Sequence, residues 1–596
     1  MILQALTELY QVLEQAGKID PPGWAPAKIS YAISLSPDGT LETILPLKIE
    51  QKKGEKAAWV PRIVTLPAPV KRASNVAANF LWDNAGYLLG LPDDEQEKHV
   101  QRARKSFAAA KDLHEKLLTN VDSDAAKAVI RFFETWNPET AADQLAQITT
   151  DDILKDLRKG ANLIFCVSAA YVQEDKDVRR AWDEHYGADE SGGPQDVCLV
   201  TGESGTLVKT HPYIKNVAGA SKIGSTLVSF NGPAFSSYGK EQNENAPITK
   251  DTAFAYTSAL NYLLTDAYYL GDMSVVFWAK NGEDAYRELF GAYAFGLGAS
   301  EITAEFRGVV ESLCRGVPAE YADARLLPET EFYVLGISPN AARLSVRLFL
   351  RDTFQGFLLH VQAHYRRMEI NYPTFDKREY LSPWTMLNET IPQQSDSKIP
   401  APVLEGELLR AILTNTCYPA TLLAGVMMRI QADHQMTRGR AAIIKEYYLK
   451  LAEETGRDNP NIPKEVLQVA VNNKTHHVPY TLGRIFSVLE GIQQAATPKI
   501  SVTIKDQYLD RAAMTPAMIM PMLVNDAQKE LAKLRNTEGK RGLAISFDKK
   551  LTELFGLIDA VEFPARLSLE QQGSFYLGYY HETQARYQKK EEKSDE

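Results

Sequence analysis

Apolar and polar residues alternate through Lys28-Ile-Ser-Tyr-Ala-Ile-Ser-Leu35 and again through Leu41-Glu-Thr-Ile-Leu-Pro-Leu47. Period two marks a strand with one buried face. Pro37-Asp-Gly39 between the runs carries turn chemistry, since Pro presets φ and Gly accepts a positive one. The spacing predicts a β-hairpin, with a third extended run at 58–64. Leu163-Ile-Phe-Cys-Val167 reads as a buried strand and residues 197–230 as short strands joined by Gly turns. Val275-Val-Phe-Trp278 and Phe332-Tyr-Val-Leu-Gly-Ile337 read as further strands, the second being the last. Elsewhere the period becomes helical. At the start, Leu3, Leu6, Leu9, Tyr10 and Leu13 share one face, and residues 92–136 and 253–265 are helical. Beyond 331 the helical runs are 340–368, 405–414, 420–434, 440–454, 463–473, 479–496 and 515–535. The runs from 479–496 onward make the final bundle, and the charged tail after Gln584 is expected to fray.

These elements predict an α+β, multi-domain chain: an N-terminal mixed α/β region with small antiparallel sheets, followed by a C-terminal helical bundle. The boundaries expected are 1–335, a helical middle region 336–474, and a bundle 475–596. The stretch 383–403, with Pro383, Pro392, Pro400 and Pro402, is the linker candidate.

The length, 596 residues, calls for several cores. A net charge of −10 argues against indiscriminate coating of nucleic acid, yet local cationic tracks remain open, because phosphate binding depends on clustering. Cys166, Cys198, Cys314 and Cys417 form no CxxC pair, so a reducing cytoplasm without disulfides or structural zinc is expected. No apolar run is long enough to span a membrane.

Several chemistries fail at the motif level. Gly219-Ala-Ser-Lys-Ile-Gly-Ser-Thr226 resembles a phosphate-cradling loop, but Ser225 stands where that loop needs Lys. A donor-rich loop with Lys222 is left, able to follow a nucleic-acid backbone or to be plain surface. His360 and His364 lie one helical turn apart, but Val361 replaces the Glu a metalloprotease uses, and a solvated face beside Arg366 and Arg367 is expected. His476-His477 has no ligand partners nearby in sequence. No nucleophile motif occurs, so no catalytic residue, metal or cofactor is assigned.

Two cationic segments leave contact with a polyanion open. Val70-Lys-Arg-Ala-Ser-Asn-Val-Ala-Ala-Asn79 sets two cations before Ser and Asn, which can hold phosphate and pair with base edges. Its alternative is a solvated turn. Residues 343–378 carry seven cations against three carboxylates. Arg343, Arg347 and Arg351 are spaced four apart, which on a helix makes one stripe, suited either to phosphate or to internal salt bridges. Phe575, Tyr576, Tyr579 and Tyr580 could stack bases or anchor a core.

Blocks along the whole chain carry a resemblance. They include Met1–Leu6, Pro22-Gly-Trp24, Asn79-Phe-Leu-Trp-Asp-Asn84, Val197–Glu203, His211–Val217, Ser229–Lys240, Asn243–Ala246, Gly271–Trp278, Leu335–Arg343, Tyr480-Thr-Leu-Gly-Arg484 and Gln571–Tyr580. Together they resemble the large subunit of the type I-C CRISPR interference complex, Cascade. The resemblance implies a non-catalytic subunit beside the crRNA 5′ handle. It would contact the protospacer-adjacent motif in double-stranded DNA and help open the duplex. The implied partners are crRNA, target double-stranded DNA, the backbone and crRNA-processing subunits, small subunits from the same gene, and a helicase-nuclease. A small subunit would correspond to the bundle after about residue 475, although no Met lies between Met436 and Met514. On chemistry and flanking motifs, Lys71, Arg72, Ser74, Asn75 and Asn79 are the motif-contacting candidates. Lys215, Lys222, Asn231, Lys240, Arg343, Arg347 and Arg351 are the backbone-contacting ones. The alternatives are a stand-alone metal-dependent nuclease and a purely structural subunit.

Overall fold

The computed structural model describes the chain apart from residues 54–55, 71–75, 191–193, 222, 298–302, 393–399, 402, 560–562 and 592–596. The fold is α+β, and the chain divides into two compact units. The first is Met1–Pro212 with Val228–Tyr262, and the second is Tyr213–Leu227 with Leu263–Glu596.

The first unit is built on a sheet ordered Leu41–Pro46, Tyr31–Leu35, Asn162–Val167, Trp82–Asn84, with Ala170–Tyr171 also paired to Asn162–Val167. The expected hairpin forms, Tyr31 opposite Pro46 and Ile33 opposite Ile44. Gly39 at its turn has φ +84°, and a Cβ there would lie 2.7 Å from the Ala128 carbonyl oxygen, so only Gly fits. Tyr31–Leu35 runs parallel to Asn162–Val167, an exception among otherwise antiparallel pairs. Both strands are mostly apolar, Ser34 and Asn162 apart, because both faces of the sheet are covered. Ile33, Leu35, Leu163 and Phe165 face Phe107, Val129, Phe132 and Phe133 of the helices Glu97–Leu118 and Asp124–Thr135. Ala32, Ile164 and Cys166 face Ala27, Ile29 and Leu66 of an antiparallel ribbon, Trp24–Ile29 with Arg62–Pro67. The third extended run is split by Pro61: Lys56–Val60 pairs with Ile49–Lys53, and Arg62–Pro67 joins the ribbon.

The second unit carries an antiparallel sheet ordered Tyr268–Leu270, Met273–Ala279, Glu331–Asn340, Arg343–Thr353. Glu331–Asn340 is therefore not the last strand. The expected helix 340–368 is a strand up to Thr353 and a helix from Phe354 to Met368. A boundary at 335 falls inside a paired strand. The run 463–473 forms one short turn, Lys464–Val466, in place of the expected helix. The linker candidate holds the helix Pro383–Asn388, capped by Ser382. The final helix, Leu569–Glu591, runs past Gln584, where fraying was expected.

One apolar core runs from Tyr268 on the sheet to Tyr580 on the last helix, so the bundle from 475 is continuous with what precedes it. Its tightest approach joins Val478–Ala496 to Leu569–Glu591. A Cβ on Gly483 would lie 1.9 Å from the Phe575 carbonyl oxygen, and one on Gly578 would lie 2.0 Å from that of Tyr480. Each helix thus lays its backbone into the other's glycine. Beside this notch, buried Arg484 pairs with buried Glu582 at 2.9 Å and donates to the Asn472 carbonyl at 2.8 Å.

Neither helix can keep its place if a methyl group enters the notch. Gly483→Ala and Gly578→Ala should each lower unfolding free energy by about 3 kcal/mol, at the upper end for overpacked cores. Urea titration checks this, and a loss below 0.5 kcal/mol would mean that the backbones are not that close.

Candidate nucleic-acid interface

Of the motif-contacting candidates, Lys71, Arg72, Ser74 and Asn75 lie outside the described residues. The described residues on either side of them are joined to each other. Asn79 is 4% exposed; its Oδ1 accepts the Val70 N–H at 3.0 Å, while its own N–H donates to Asp83 Oδ2 at 3.0 Å. Residues 70 and 79 are therefore clipped together, and 71–78 must run between them. Asn79 acts as this clip, and its amide oxygen is used inside the protein. The next residues continue the neck. Phe80 is buried and stacks on Trp182, with ring centres 5.4 Å apart. Leu81 takes φ +65°, and its N–H donates to His114 Nε2 at 2.9 Å. His114 Nδ1–H donates to the Ala110 carbonyl at 2.7 Å, which fixes the tautomer. Burial lowers the His114 pKa to about 4, so the ring is neutral and can accept. Asn84 then caps the helix Ala85–Leu88 through the Gly86 N–H.

Asn231 and Lys240, both exposed, belong to the same unit. Their loop is braced from within. Asn245 Oδ1 accepts the Ser237 N–H at 2.8 Å, and its Nδ2 donates to the Lys240 and Gln242 carbonyls. Beneath it, His211 bridges Asn243 and Tyr256 in a buried chain. The loop presents Tyr238 fully exposed on left-handed backbone, φ +54°.

The other candidates belong to the second unit. Lys215 is exposed, and Lys222 lies outside the described residues. Segment 213–227 is stitched to itself by Ile214 and Ser225 and to the sheet by Thr226 and Arg343. The Leu344 N–H donates to the Thr226 carbonyl at 3.0 Å. Gly224 is required there, because a Cβ would meet Tyr213 Cβ at 2.7 Å. The structure so brings Lys215 and Arg343 to one sheet edge.

Arg343, Arg347 and Arg351 lie on the strand Arg343–Thr353, which corrects the expected helix stripe. A spacing of four is even, so it also suits one strand face, but the register shifts at Arg347, between Val346 opposite Ile337 and Leu348 opposite Gly336. Arg347 lies 3.6 Å from Asp272, and Arg351 pairs with Glu331. Both pairs are solvent-exposed and worth at most about 1 kcal/mol each, so a phosphate could compete for either guanidinium.

Other expectations resolve into packing. His364 and Arg367 are buried with Tyr418 and Glu446, not on a solvated face; His364 Nδ1 is 2.6 Å from Glu446 Oε1. Phe575, Tyr576, Tyr579 and Tyr580 are all core residues. A cavity of about 1110 Å³ in the second unit is lined by Asp266, Glu288, Glu305, Glu320 and Asp323 against Arg287, the wrong sign for a polyanion. Among the described residues, no group of three His, Cys, Asp or Glu side chains could hold a metal, and no helix is long and apolar enough to cross a membrane.

One signal escaped residue-by-residue reading. Residues 48–72 hold seven cations and two carboxylates in a chain of net charge −10. The span covers the strand pair Ile49–Lys53 and Lys56–Val60 and the start of the clipped loop, and a sliding count of charge would have found it.

A family model described as CRISPR-associated protein (Cas_Csd1) matches residues 6–587. No curated protein matches the chain.

The neck and the loop should separate by mutation. Asn79→Ala should cost about 1–2 kcal/mol of stability by unpairing the Val70 N–H, and it should weaken duplex binding without changing which bases are preferred. Lys71→Ala should leave stability unchanged and flatten the plot of log affinity against log salt by about 0.9, one phosphate contact. Altered base preference in Asn79→Ala would contradict the assignment of that side chain to the neck.

The neck also titrates. His114 binds a proton in the unfolded chain near its usual pKa of about 6.5, but in the folded chain only near 4. Its contribution is complete above pH 6.5 and is lost as pH falls toward 4. Between pH 7 and 5 the loss is about 2 kcal/mol. Urea unfolding at both pH values, wild type against His114→Gln, should show a pH penalty larger by that amount in the wild type.

Proposed function

Because the chain belongs to the CRISPR-associated Cas_Csd1 family, we propose that it is the large, non-catalytic subunit of a type I-C RNA-guided interference complex. In this reading it recognises the protospacer-adjacent motif in duplex DNA, helps unwind the duplex for R-loop formation, and offers a docking surface to a helicase-nuclease. It works in the cytoplasm beside crRNA, the backbone and crRNA-processing subunits, and small subunits from the same gene.

The observation that carries the reading is the clip between Val70 and Asn79. Buried, mutually satisfied groups at Asn79, Asp83 and His114 hold the ends of a segment whose sequence is Lys71-Arg-Ala-Ser-Asn75. A fixed neck lowers the ordering cost of a loop that meets DNA. Lys71 and Arg72 suit phosphates, and Asn75 has the amide pair that matches an adenine edge or a minor-groove acceptor. The protein then needs to read only a few base pairs, because guide pairing supplies the rest of the sequence choice; the single-protein effectors divide the labour in the same way. Overall acidity supports the reading, since it keeps weak contacts elsewhere from competing with the cationic loops.

The test uses the assembled complex and a panel of duplexes that differ only in the motif. Asn75→Ala should reduce discrimination between motifs by about tenfold, and Lys71→Ala with Arg72→Ala should weaken all duplexes alike. Unchanged discrimination in Asn75→Ala removes that residue from the role. Incubating the purified chain with labelled DNA and Mg²⁺ or Mn²⁺ decides the enzymatic alternative: cleavage would refute the non-catalytic assignment.

A further inference from the structure

The cavity of about 1110 Å³ in the second unit has two chemically different parts. Its inner surface is apolar. Phe277, on the strand Met273–Ala279, is buried, and so is Ala292, on the π-helical turn Gly291–Phe295. A Cβ on Gly291 would lie 3.3 Å from both Phe277 Cζ and Leu297 Cδ1, so the turn packs closely on that ring and on Leu297. Leu297 itself is 39% exposed. Phe306 and Val309 add to the lining from the helix Ala304–Cys314, and Tyr321 from the hairpin of Ala319–Tyr321 with Ala324–Leu326.

The rim is anionic. Glu288, Glu305, Glu320 and Asp323 are all exposed, and among the described residues none of the four forms an ion pair. Arg325, opposite Glu320 in the hairpin, does not pair with it. Among the described residues Arg287 is the only cation of the lining, and it lies 3.4 Å from Asp266 and 3.3 Å from Asp284. Glu305 stands in the first turn of its helix, where negative charge is favourable. Glu288, Glu320 and Asp323 occupy no such position, so the local backbone does not explain them. Burial and the charge of Glu288 push the Tyr321 phenol above its usual range, which sets that carboxylate beside the apolar wall.

This combination excludes most ligands. Phosphates are repelled, so neither RNA nor DNA suits it. Among the described residues no group of three His, Cys, Asp or Glu side chains could hold a metal. A polyamine would meet the carboxylates but leave the apolar surface uncovered. The volume also exceeds the roughly 300–1000 Å³ of small-molecule pockets. A peptide carrying lysines or arginines beside apolar side chains satisfies both parts, with its charges at the rim and its apolar groups on the inner surface. We propose that this cavity is the docking site for a cationic, amphipathic peptide segment of a protein partner. The proposed function calls for protein partners without locating any of them, and this assignment does not depend on how the motif is read.

The experiment measures binding of the full-length chain to a labelled eight-residue peptide built from lysines with two leucines among them. Two further peptides change only the probe, one with glutamate for lysine and one with serine for leucine. The lysine–leucine peptide should bind and the glutamate version should not. The serine version should bind about tenfold more weakly, because it buries less apolar area. In the protein, Glu288→Gln and Glu320→Gln should each weaken binding of the first peptide about threefold, and the two combined with Asp323→Asn about tenfold or more. Glu538→Gln, at an exposed carboxylate that does not line the cavity, should change nothing. All of these side chains are exposed, so the substitutions leave the core intact. Equal binding of the leucine and serine peptides would reduce the effect to attraction by an acidic surface. Equal binding by wild type and the triple variant would place the peptide elsewhere. Displacement of the peptide by an equal concentration of spermine would make the cavity a polyamine site. Any of these three results overturns the proposal, whereas failure of the Asn75 test leaves it standing.

Discussion

A backbone N–H withdrawn from water must find an acceptor, and the first unit is arranged around meeting that demand at one place. After the cationic segment the chain enters the core at Asn79, Phe80, Leu81 and Asp83, all of them buried. Asn79 answers for Val70, Asp83 for Asn79, and a neutral imidazole for Leu81, whose left-handed backbone would otherwise have no reason to persist. Aromatic packing of Phe80 between Trp182 and His114 makes the arrangement rigid.

Much of this fold could be read from pattern. The hairpin at 31–46 was legible because alternation and turn chemistry agree, and the long helices were legible because caps and 3.6-residue periods agree. The failures share a cause. Arg343, Arg347 and Arg351 are spaced four apart, which is compatible with a helix face and with a strand face alike; only the apolar residues between them could decide, and Leu344 and Leu348 have the same spacing. Asn79 looked like a base reader because an amide has the same donor and acceptor whether it meets adenine or a neighbouring peptide, and burial is not written in one side chain.

Charge is distributed with similar economy. The second unit keeps its interior ions matched: Arg367 with Glu446 and Glu453, Arg440 with Asp433 and Glu389, and Arg484 with Glu582. Buried pairs of this kind add little net stability against apolar replacements, but a lone partner is costly, so they penalise alternative packings of the helices. On the sheet edge, Arg347 and Arg351 pair with Asp272 and Glu331 near the surface and can be redirected at small cost. Interior ions thus specify one arrangement, while surface ions stay exchangeable.

The glycine notch has a consequence for how the gene can be divided. A shorter product initiated at Met514 would carry Gly578 and the whole terminal helix, but not the helix containing Gly483 that fills its groove, nor Arg484 to neutralise Glu582. Such a fragment would emerge from the ribosome with a carboxylate and a bare backbone channel where its mate should lie. Any autonomous C-terminal polypeptide that keeps the interlocked pair would have to start ahead of Val478, at Met436 or an earlier methionine, or at a codon other than AUG.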